Sequence, residues 1–471
     1  MTASQVVMWF RQDLRLSDNP AFIQACHKGT VIPVYIFDEI NAGDLVMGSA
    51  SKWWLHHALK SLNSSLNDKL NIFSGDPLEV ILYLIKKYGI NGIYWNRCYE
   101  PWQIQRDMVI KDMMHQKSVE VKSFNGSLLW EPWEISKKDN TAYKVFTPYY
   151  QRGCLSANPP RKPLSKPRTM YLTSVNEAIK LSELNFLPTI RWDSSLEKEW
   201  SISENAAHEK LKLFLSKGVE HYKEGRNFPA KHAISKLSPY LHFGQISPNQ
   251  VWYAVKSLSL DDNIKTFCSE LGWREFSYYL LYHFPKLNKK NWNNKFDNFP
   301  WVKNKKILTA WQKGATGYPI VDAGMRELWQ TGFMHNRIRM VVASFLVKNC
   351  LIDWREGERW FWDCLVDADM ASNSASWQWV AGCGADAAPY FRIFNPVTQG
   401  QKFDQQGEYT KKYIPELAKL PVKYLFDPWD APIEVLQSSR ITLGVDYPHP
   451  IIDLKASRNR ALMAYDEIKR K

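Results

Sequence analysis

Three segments of the sequence concentrate polar and aromatic side chains more densely than a simple core needs. They span residues 270–276, 316–340 and 361–394. Carboxylate, amide and guanidinium groups cost free energy to bury unless they bind something. Because the surrounding sequence has helical periodicity, the pattern predicts a helical domain lined with polar and aromatic groups, suited to a large aromatic cofactor and a nucleic acid. A helical bundle with surface ion pairs is the alternative.

The composition supports the same two classes of ligand. The chain has 21 tryptophans among 471 residues; tryptophan stacks on bases and on aromatic cofactors, and a string of tryptophans can relay electrons. The formal net charge of +13 favours polyanionic partners, because neutralising phosphates releases counterions. A tryptophan-rich core and a generally basic surface are the alternative explanations.

Other candidate motifs are weaker. Residues 382–387 match the letters of a dinucleotide fingerprint, but they follow a helical pattern instead of a strand, so we reject that motif. Asp367 and Asp369 have the spacing of a metal pair, but no histidine or carboxylate cluster lies near them in sequence, and we predict no metal site. The seven cysteines form no CxxC pair, which fits a reducing compartment without disulfides or structural zinc.

The elements that must position these side chains begin with an alternating pattern in the first 130 residues. Strands separated by helices form parallel sheets covered on both faces, so we expect an α/β domain there. Strands are predicted over residues 6–10, 31–37, 90–95 and 119–124, and helices over 52–66 and 78–88.

The rest of the chain reads differently. Over residues 131–200, prolines alternate with basic residues, which predicts a long linker; the basic residues are Arg152, Arg161, Lys162, Lys166 and Arg168. From about residue 201 onward, apolar residues recur at three- and four-residue spacing, which predicts an all-helical domain. Its helices are predicted over 206–222, 264–283, 321–329, 337–350 and 356–366.

Location and assembly follow from the same sequence. The longest apolar stretches are far shorter than a membrane span, and the first residues lack the basic start and apolar core of a secretory signal. We therefore expect a soluble, cytoplasmic protein with no membrane partner and no obligate protein partner. A monomer is expected because a long polyanion needs open access to the helical face.

Five motifs, in order along nearly the whole chain, resemble signatures of the DNA photolyase and cryptochrome family. They read WFRQDLRLSDN (9–19), YKVFTP (143–148), TGYPIVDAGMR (316–326), MHNR (334–337) and DAAPYFRIFNP (386–396). The resemblance is closest to class I bacterial enzymes. It implies a Rossmann-like α/β antenna domain over residues 1–130, an interdomain linker over 131–200 and an all-α FAD-binding catalytic domain over 201–471.

The resemblance implies that the helical domain holds a folded FAD. The residues at matching positions are Tyr222, Ser235, Leu237, Ser238, Arg274, Asn336, Arg339, Asp367, Asp369 and Asn373. Ser235 and Ser238 would supply hydroxyls or backbone N–H groups to the pyrophosphate. Ile234 stands where the family usually has threonine, so one hydroxyl is missing. Asn373 matches the residue that faces flavin N5, where a neutral amide can stabilise reduced flavin.

The implied activity is that of a deoxyribodipyrimidine photo-lyase, in which reduced FAD uses light to split cyclobutane pyrimidine dimers in UV-damaged DNA. Glu270 matches the acid that shares a proton with the dimer anion, which requires a raised pKa. Trp273 and Trp379 match the residues that sandwich the flipped dimer. Further lesion or phosphate contacts are implied for Arg226, Lys236, Asn336, Arg337 and Met340. The implied electron relay is Trp301, Trp354 and Trp377, for which core packing is the alternative.

Two positions of the sequence bear on which type of UV lesion is repaired. Enzymes for the (6-4) photoproduct carry histidine where this chain has Met340, and usually glutamine where it has Glu270. Both positions therefore resemble the cyclobutane-dimer type. The alternative function is a cryptochrome blue-light photosensor without repair activity; retention of Trp273, Trp379, Glu270 and Met340 favours repair.

The resemblance implies a second, antenna chromophore in the N-terminal domain. Gln103 aligns with the glutamate that contacts the pterin in folate-binding members. Lys52 stands where deazaflavin binders have a basic residue. Methenyltetrahydrofolate, an 8-hydroxydeazaflavin and an empty site therefore remain open.

Overall fold

The computed structural model describes residues 4–470, which form two compact units. Unit 1 extends to Glu220 and includes Ser235–Pro285; unit 2 comprises His221–Ile234 and the chain from Lys286 onward. Unit 1 contains the sheet of the molecule, and unit 2 is helical. The predicted class, an α/β N-terminal domain followed by a larger helical part, is confirmed.

Unit 1 is built on a five-stranded parallel sheet in the order β3-β2-β1-β4-β5. The central strands are buried almost throughout, which explains why they read as continuous apolar runs. The strand order changes direction between β1 and β4, as in doubly wound folds. The strands are β1 (Gln5–Phe10), β2 (Thr30–Phe37), β3 (Asn71–Ser74), β4 (Gly92–Asn96) and β5 (Glu120–Phe124). The sequence pattern predicted four of them and missed β3.

Helices connect the strands, and local sequence sets where they begin. The side chain of Asn19 accepts the backbone N–H of Phe22 at the start of α1, and Asp76 does the same for Leu78 in α3. A proline occupies the first position of both helices. The helices of the sheet region are α1 (Pro20–Lys28), α2 (Ser49–Ser65), α3 (Pro77–Tyr88) and α4 (Pro101–Gln116).

The remainder of unit 1 follows as a long stretch with short turns and then further helices. Between residues 131 and 193 the regular elements are brief, such as a π-helical turn at Tyr149–Gly153. A π-helical turn also follows α6, at Phe214–Gly218. Helices of five residues or more are α5 (Ser194–Glu199), α6 (Glu204–Leu213), α7 (Ser238–His242), α8 (Pro248–Lys256) and α9 (Asp262–His283).

Unit 2 packs its helices around one large apolar core. The predicted helix over 337–350 is divided, because α12 ends at Ser344 and a π-helical turn occupies Phe345–Asn349. The helices are α10 (Lys305–Gln312), α11 (Pro319–Thr331), α12 (Asn336–Ser344), α13 (Trp354–Cys364), α14 (Met370–Ala381), α15 (Pro396–Phe403), α16 (Glu408–Tyr413), α17 (Ile433–Ser438) and α18 (Leu454–Arg470). No helix within residues 4–470 is long and apolar enough to cross a bilayer.

Candidate functional site

The start of helix α14 in unit 2 carries a group of buried polar side chains. Asp369 is the N-cap, and its carboxylate accepts the backbone N–H of Ser372 at 2.7 Å. The positive end of the helix dipole favours a negative charge at this position. Asp367 precedes it by two residues, and both aspartates are only 8% exposed.

An ion pair fixes Asp367. Arg339 on α12 donates from Nη2 to both carboxylate oxygens, at 3.1 and 2.9 Å, and from Nε to the carbonyl of Met334 at 2.7 Å. The Asp367 side chain is nearly inaccessible, whereas about a quarter of the Arg339 side chain is exposed. Because both oxygens of this buried carboxylate accept from the same guanidinium nitrogen, the orientation of Asp367 is restricted. The structure thus brings together two of the predicted cofactor residues.

Asn373 lies one turn beyond Asp369 and is also buried. Its Nδ2 donates to the backbone carbonyl of Glu358 on α13 at 3.1 Å, which orients the amide. The hydroxyl of the next residue, Ser374, contacts the Glu358 carboxylate. Burial raises the pKa of Glu358 to about 7, against the opposing effect of the Ser374 hydrogen bond. Sequence reasoning did not single out Glu358, because nothing in its local pattern indicates a partner on another helix.

The three tryptophans of the predicted relay are buried to different degrees in unit 2. Trp377 and Trp354 are 2% and 0% exposed, whereas Trp301 is partly exposed. Trp377 packs edge-on against Phe361 at a centroid distance of 5.0 Å. Trp354 donates from Nε1 to the side-chain oxygen of Asn291 at 2.9 Å.

A glycine makes room for Trp377. A Cβ atom on Gly357 of α13 would lie 2.1 Å from the Trp377 ring. The indole therefore rests directly on the backbone of α13. This close approach is a second feature that the sequence analysis missed, since it joins residues of two different helices.

Two cations predicted to contact substrate lie close together in unit 2. Burial, and then the charge of Arg226, lowers the pKa of Arg337. Arg337 donates from Nη2 to Asn227 at 2.5 Å, while its buried Nε has no hydrogen-bond partner among the described residues. Two like charges at close range favour an anionic ligand. Asn336 is exposed, and Met340, four residues later on α12, is partly exposed on the same face.

Glu270, Trp273 and Arg274 of unit 1 share one face of helix α9, because they are spaced by three and four residues. All three are partly exposed. Trp273 stacks on Phe146 with 3.9 Å between ring centroids and an interplanar angle of 11°. Arg274 donates to the carbonyl of Ser127 at 2.8 Å. One face of the Trp273 ring is therefore covered within the unit.

The predicted pyrophosphate residues of unit 1 form a turn before helix α7. Leu237 is buried, and its N–H donates weakly to the Ser235 hydroxyl at 3.4 Å. Lys236 adopts the left-handed conformation with a φ of 51° and pairs with Glu199 at 2.6 Å. Ser238 begins the helix and is exposed.

Tyr222, the remaining predicted cofactor residue, belongs to unit 2. It is buried at the start of a short helical turn, with the Arg226 guanidinium 5.5 Å from its ring centroid. Trp379 is partly buried against the core of the same unit. Gly382 ends helix α14 with a φ of 86°, so residues 382–387 do not join a strand to a helix.

The two residues linked to an antenna chromophore lie in unit 1. Lys52 pairs with Glu39 at 3.0 Å, and its ammonium lies 5.4 Å from the Phe37 ring centroid. Gln103 is 8% exposed, and its Oε1 is buried without a hydrogen-bond partner among the described residues.

Comparisons with known proteins match both parts of the chain. Residues 6–168 match the family described as DNA photolyase, and residues 267–467 match the FAD binding domain of DNA photolyase. The chain is 47% identical over 479 residues to a deoxyribodipyrimidine photo-lyase of Agrobacterium fabrum, covering 100% of this chain and 99% of that protein. It is 36% identical to cryptochrome-2 of Arabidopsis thaliana, covering 96% of this chain and 77% of the plant protein.

Solved structures agree with these matches. A bacterial class III photolyase from Agrobacterium tumefaciens superimposes with a TM-score of 0.95 at 46% identity, covering 100% of this chain and 99% of the other. A cryptochrome of Synechocystis gives a TM-score of 0.88 at 29% identity, covering 98% and 99%. The class I resemblance is not confirmed, since this photolyase structure is of class III.

Proposed function

This chain belongs to the DNA photolyase and cryptochrome family, and on that premise we propose that it is a deoxyribodipyrimidine photo-lyase, which uses light to split cyclobutane pyrimidine dimers in UV-damaged DNA. The observation that carries the proposal is the buried polar group at the start of α14. Arg339, Asp367, Asp369 and Asn373 lie there within the segment that matches a flavin-binding domain.

These residues have the chemistry that a flavin requires. An isoalloxazine ring presents both hydrogen-bond donors and acceptors along its edge. The two buried aspartates supply acceptors, Arg339 supplies a donor, and Asn373 supplies an amide whose orientation α13 fixes. We therefore assign FAD as the cofactor, held also by the other residues named from the family resemblance.

Reduced FAD, when bound, supplies the electron that light transfers to the dimer. The chain's own part is to orient, to shield from water and to hold a proton. Asn373 would present a neutral amide to the flavin. Glu270, on the same face of α9 as Trp273, would hold a proton near the dimer.

The substrate residues suit a flipped dimer and its phosphates. A dimer stacks and pairs poorly, so extruding it from the duplex costs less than extruding a normal base. Trp273 and Trp379 would stack against it. Arg226 and Arg337, whose like charges lie close together, would meet the DNA phosphates. Met340, in place of histidine, supports a cyclobutane dimer over a (6-4) photoproduct.

The tryptophans Trp377, Trp354 and Trp301 are proposed to re-reduce the flavin from the protein surface. Their burial is consistent with this role, because the first two are enclosed and Trp301 is partly exposed. We also propose an antenna chromophore in unit 1, either methenyltetrahydrofolate or an 8-hydroxydeazaflavin. Mass spectrometry of the small molecules released from purified protein distinguishes the two.

Repair of a short oligonucleotide with one thymine cyclobutane dimer tests the function. Protein holding chemically reduced FAD is incubated with the oligonucleotide in blue light or in darkness, and the products are separated by chromatography. We expect intact thymines in the light only, and no change in a matched (6-4) oligonucleotide. Conversion of the dimer in darkness would overturn the proposal. Absence of repair by protein that holds reduced FAD and binds the DNA would also overturn it, and would favour the photosensor function.

A further inference from the structure

One stretch of unit 1 contains basic residues and no acidic ones. The proposed function assigns no role to it. Residues 140–176 contain no aspartate or glutamate. They contain six cations: Lys144, Arg152, Arg161, Lys162, Lys166 and Arg168. With no acidic residue, the stretch has a net charge of +6, which is almost half of the +13 of the whole chain.

The part over residues 161–168, here called the basic strap, belongs to no helix or strand and is anchored through its backbone. Its backbone exchanges two hydrogen bonds with Asp18, since Leu164 donates to the carboxylate at 2.8 Å and its carbonyl accepts the Asp18 N–H at 2.9 Å. The carbonyl of Arg161 accepts from Asn249 at 2.6 Å. Just before the strap, the carbonyl of Pro160 accepts from the Tyr253 hydroxyl at 2.5 Å. The backbone is thus anchored, and the side chains remain available.

The carboxylate of Asp18, which binds the strap, is buried and already has partners. Asp18 is 0% exposed, and it pairs with Arg161 at 2.5 Å and accepts from the Ser247 hydroxyl at 2.5 Å. Lys162, Lys166 and Arg168 are exposed, and the structure shows no ion pair for any of them within residues 4–470. Three cations therefore face solvent on a rigid support.

The spacing of these cations suits a nucleic-acid backbone. A fully extended chain advances about 3.3 Å per residue, so the six steps from Lys162 to Arg168 span at most roughly 20 Å, or about six base-pair steps. Pro163 and Pro167 stiffen the strap, which reduces the conformational entropy lost on binding. Lysine and arginine contacts to phosphates give affinity without reading sequence.

We propose that the basic strap is a docking surface for the phosphate backbone of DNA and that it acts independently of any lesion. It adds to the proposed repair function a contact that holds undamaged DNA. Its energy comes from counterion release, so its contribution falls as salt rises.

The test compares two triple variants of equal charge. One is Lys162→Gln with Lys166→Gln and Arg168→Gln. The control is Lys60→Gln with Lys69→Gln and Lys117→Gln, three exposed lysines of the same unit that lie on and after helices α2 and α4. Fluorescence anisotropy measures the binding of each full-length protein to an undamaged duplex over a series of salt concentrations, and thermal unfolding verifies that each variant folds.

We expect the strap variant to reduce the slope of log K against log salt by about 2 to 3, because each lost phosphate contact removes about 0.9. The control should change the slope by much less. Equal changes in both variants would assign the effect to net charge and overturn the proposal, as would an unchanged slope. Binding of the strap to phosphatidylserine vesicles with unaltered DNA binding would also overturn it. If the strap variant has the reduced slope but wild-type protein shows no light-dependent repair, the proposed function alone would be contradicted.

Discussion

A glutamate with a raised pKa stands in each unit, buried in the case of Glu275 and partly buried in the case of Glu358, and the surroundings of the two differ. Burial raises the pKa of both Glu275 and Glu358 to about 7. Glu275 in unit 1 accepts the backbone N–H groups of Leu129 and Trp130 at 2.8 and 3.2 Å, and it pairs with Arg274 at 3.3 Å. For the Glu358 carboxylate in unit 2, the partner that the structure shows within residues 4–470 is the hydroxyl of Ser374.

The difference separates a carboxyl that anchors backbone from one whose partner suits either protonation state. The three N–H donors favour the ionised form of Glu275 against the effect of burial, and they tie residues 129–130 to helix α9. A hydroxyl can either donate or accept, so the Glu358 site tolerates both protonation states. Glu358 also supplies the carbonyl that orients Asn373. A similar rise in pKa therefore supports two different roles, and the partners decide which one applies.

Removing the anchor should have the largest effect. Glu275→Ala leaves two buried backbone N–H groups without their acceptor and removes the ion pair of a largely buried guanidinium, which should lower the free energy of unfolding by about 3–5 kcal/mol. Denaturant titration followed by circular dichroism measures the change. Glu79→Ala, at an exposed position of α3, is the control and should change it by less than about 0.5 kcal/mol. A loss as small as that of the control would contradict the anchoring role.

Glu358→Gln should alter the pH dependence of stability. Folding raises the pKa of Glu358 from 4.5 to about 7, so the folded state binds more protons in that window and stability falls as pH rises through it. The contribution is fully present below pH 4.5 and is lost above pH 7, amounting to about 3 kcal/mol at 1.36 kcal/mol per pKa unit.

Unfolding free energies at pH 5 and pH 8 measure this effect. The glutamine variant should lose less stability between the two pH values than the wild type. Glu356→Gln, on the same helix and with a side chain that is 40% exposed, should retain the wild-type dependence. An identical pH dependence in Glu358→Gln and the wild type would show that Glu358 is ionised throughout.

Gly357→Ala should give the smallest of these effects on stability, about 1–3 kcal/mol, because the added methyl group would displace the Trp377 ring. It should also slow photoreduction of oxidised flavin if Trp377 relays electrons. Near-ultraviolet circular dichroism and the rate of flavin reduction under blue light measure the two consequences. Ser376→Ala, at an exposed position of α14, is the control. Unchanged spectra and rates would show that Trp377 accommodates the methyl group.

The sequence predicted the elements whose pattern is long or strongly apolar. Strands β1 and β2 and helices such as α9 and α13 were identified because their periodicity extends over several residues. Strand β3 was missed because it has only four residues and ends at an exposed serine. The division of α12 at Ser344 was also missed, because the π-helical turn that follows continues the same apolar spacing.

The sequence pattern did not predict contacts between one helix and another. The motif order singled out Asn373 and Trp377, whose roles stay predictions. Glu358 and Gly357 were found only from the structure, since each meets a residue 16 to 20 positions away on another helix. Such contacts depend on how α13 and α14 pack, which no periodicity within one helix encodes.

The central claim is light-driven repair, and the most direct measurement compares wild-type protein with Glu270→Gln on one dimer-containing oligonucleotide. Both proteins hold chemically reduced FAD, and intact thymines are counted after equal doses of blue light. The wild type should restore thymines in the light and none in darkness, while Glu270→Gln should repair roughly tenfold or more slowly, as expected on removal of a proton donor. A wild-type protein that binds the oligonucleotide with reduced FAD and restores no thymines in the light would contradict the account.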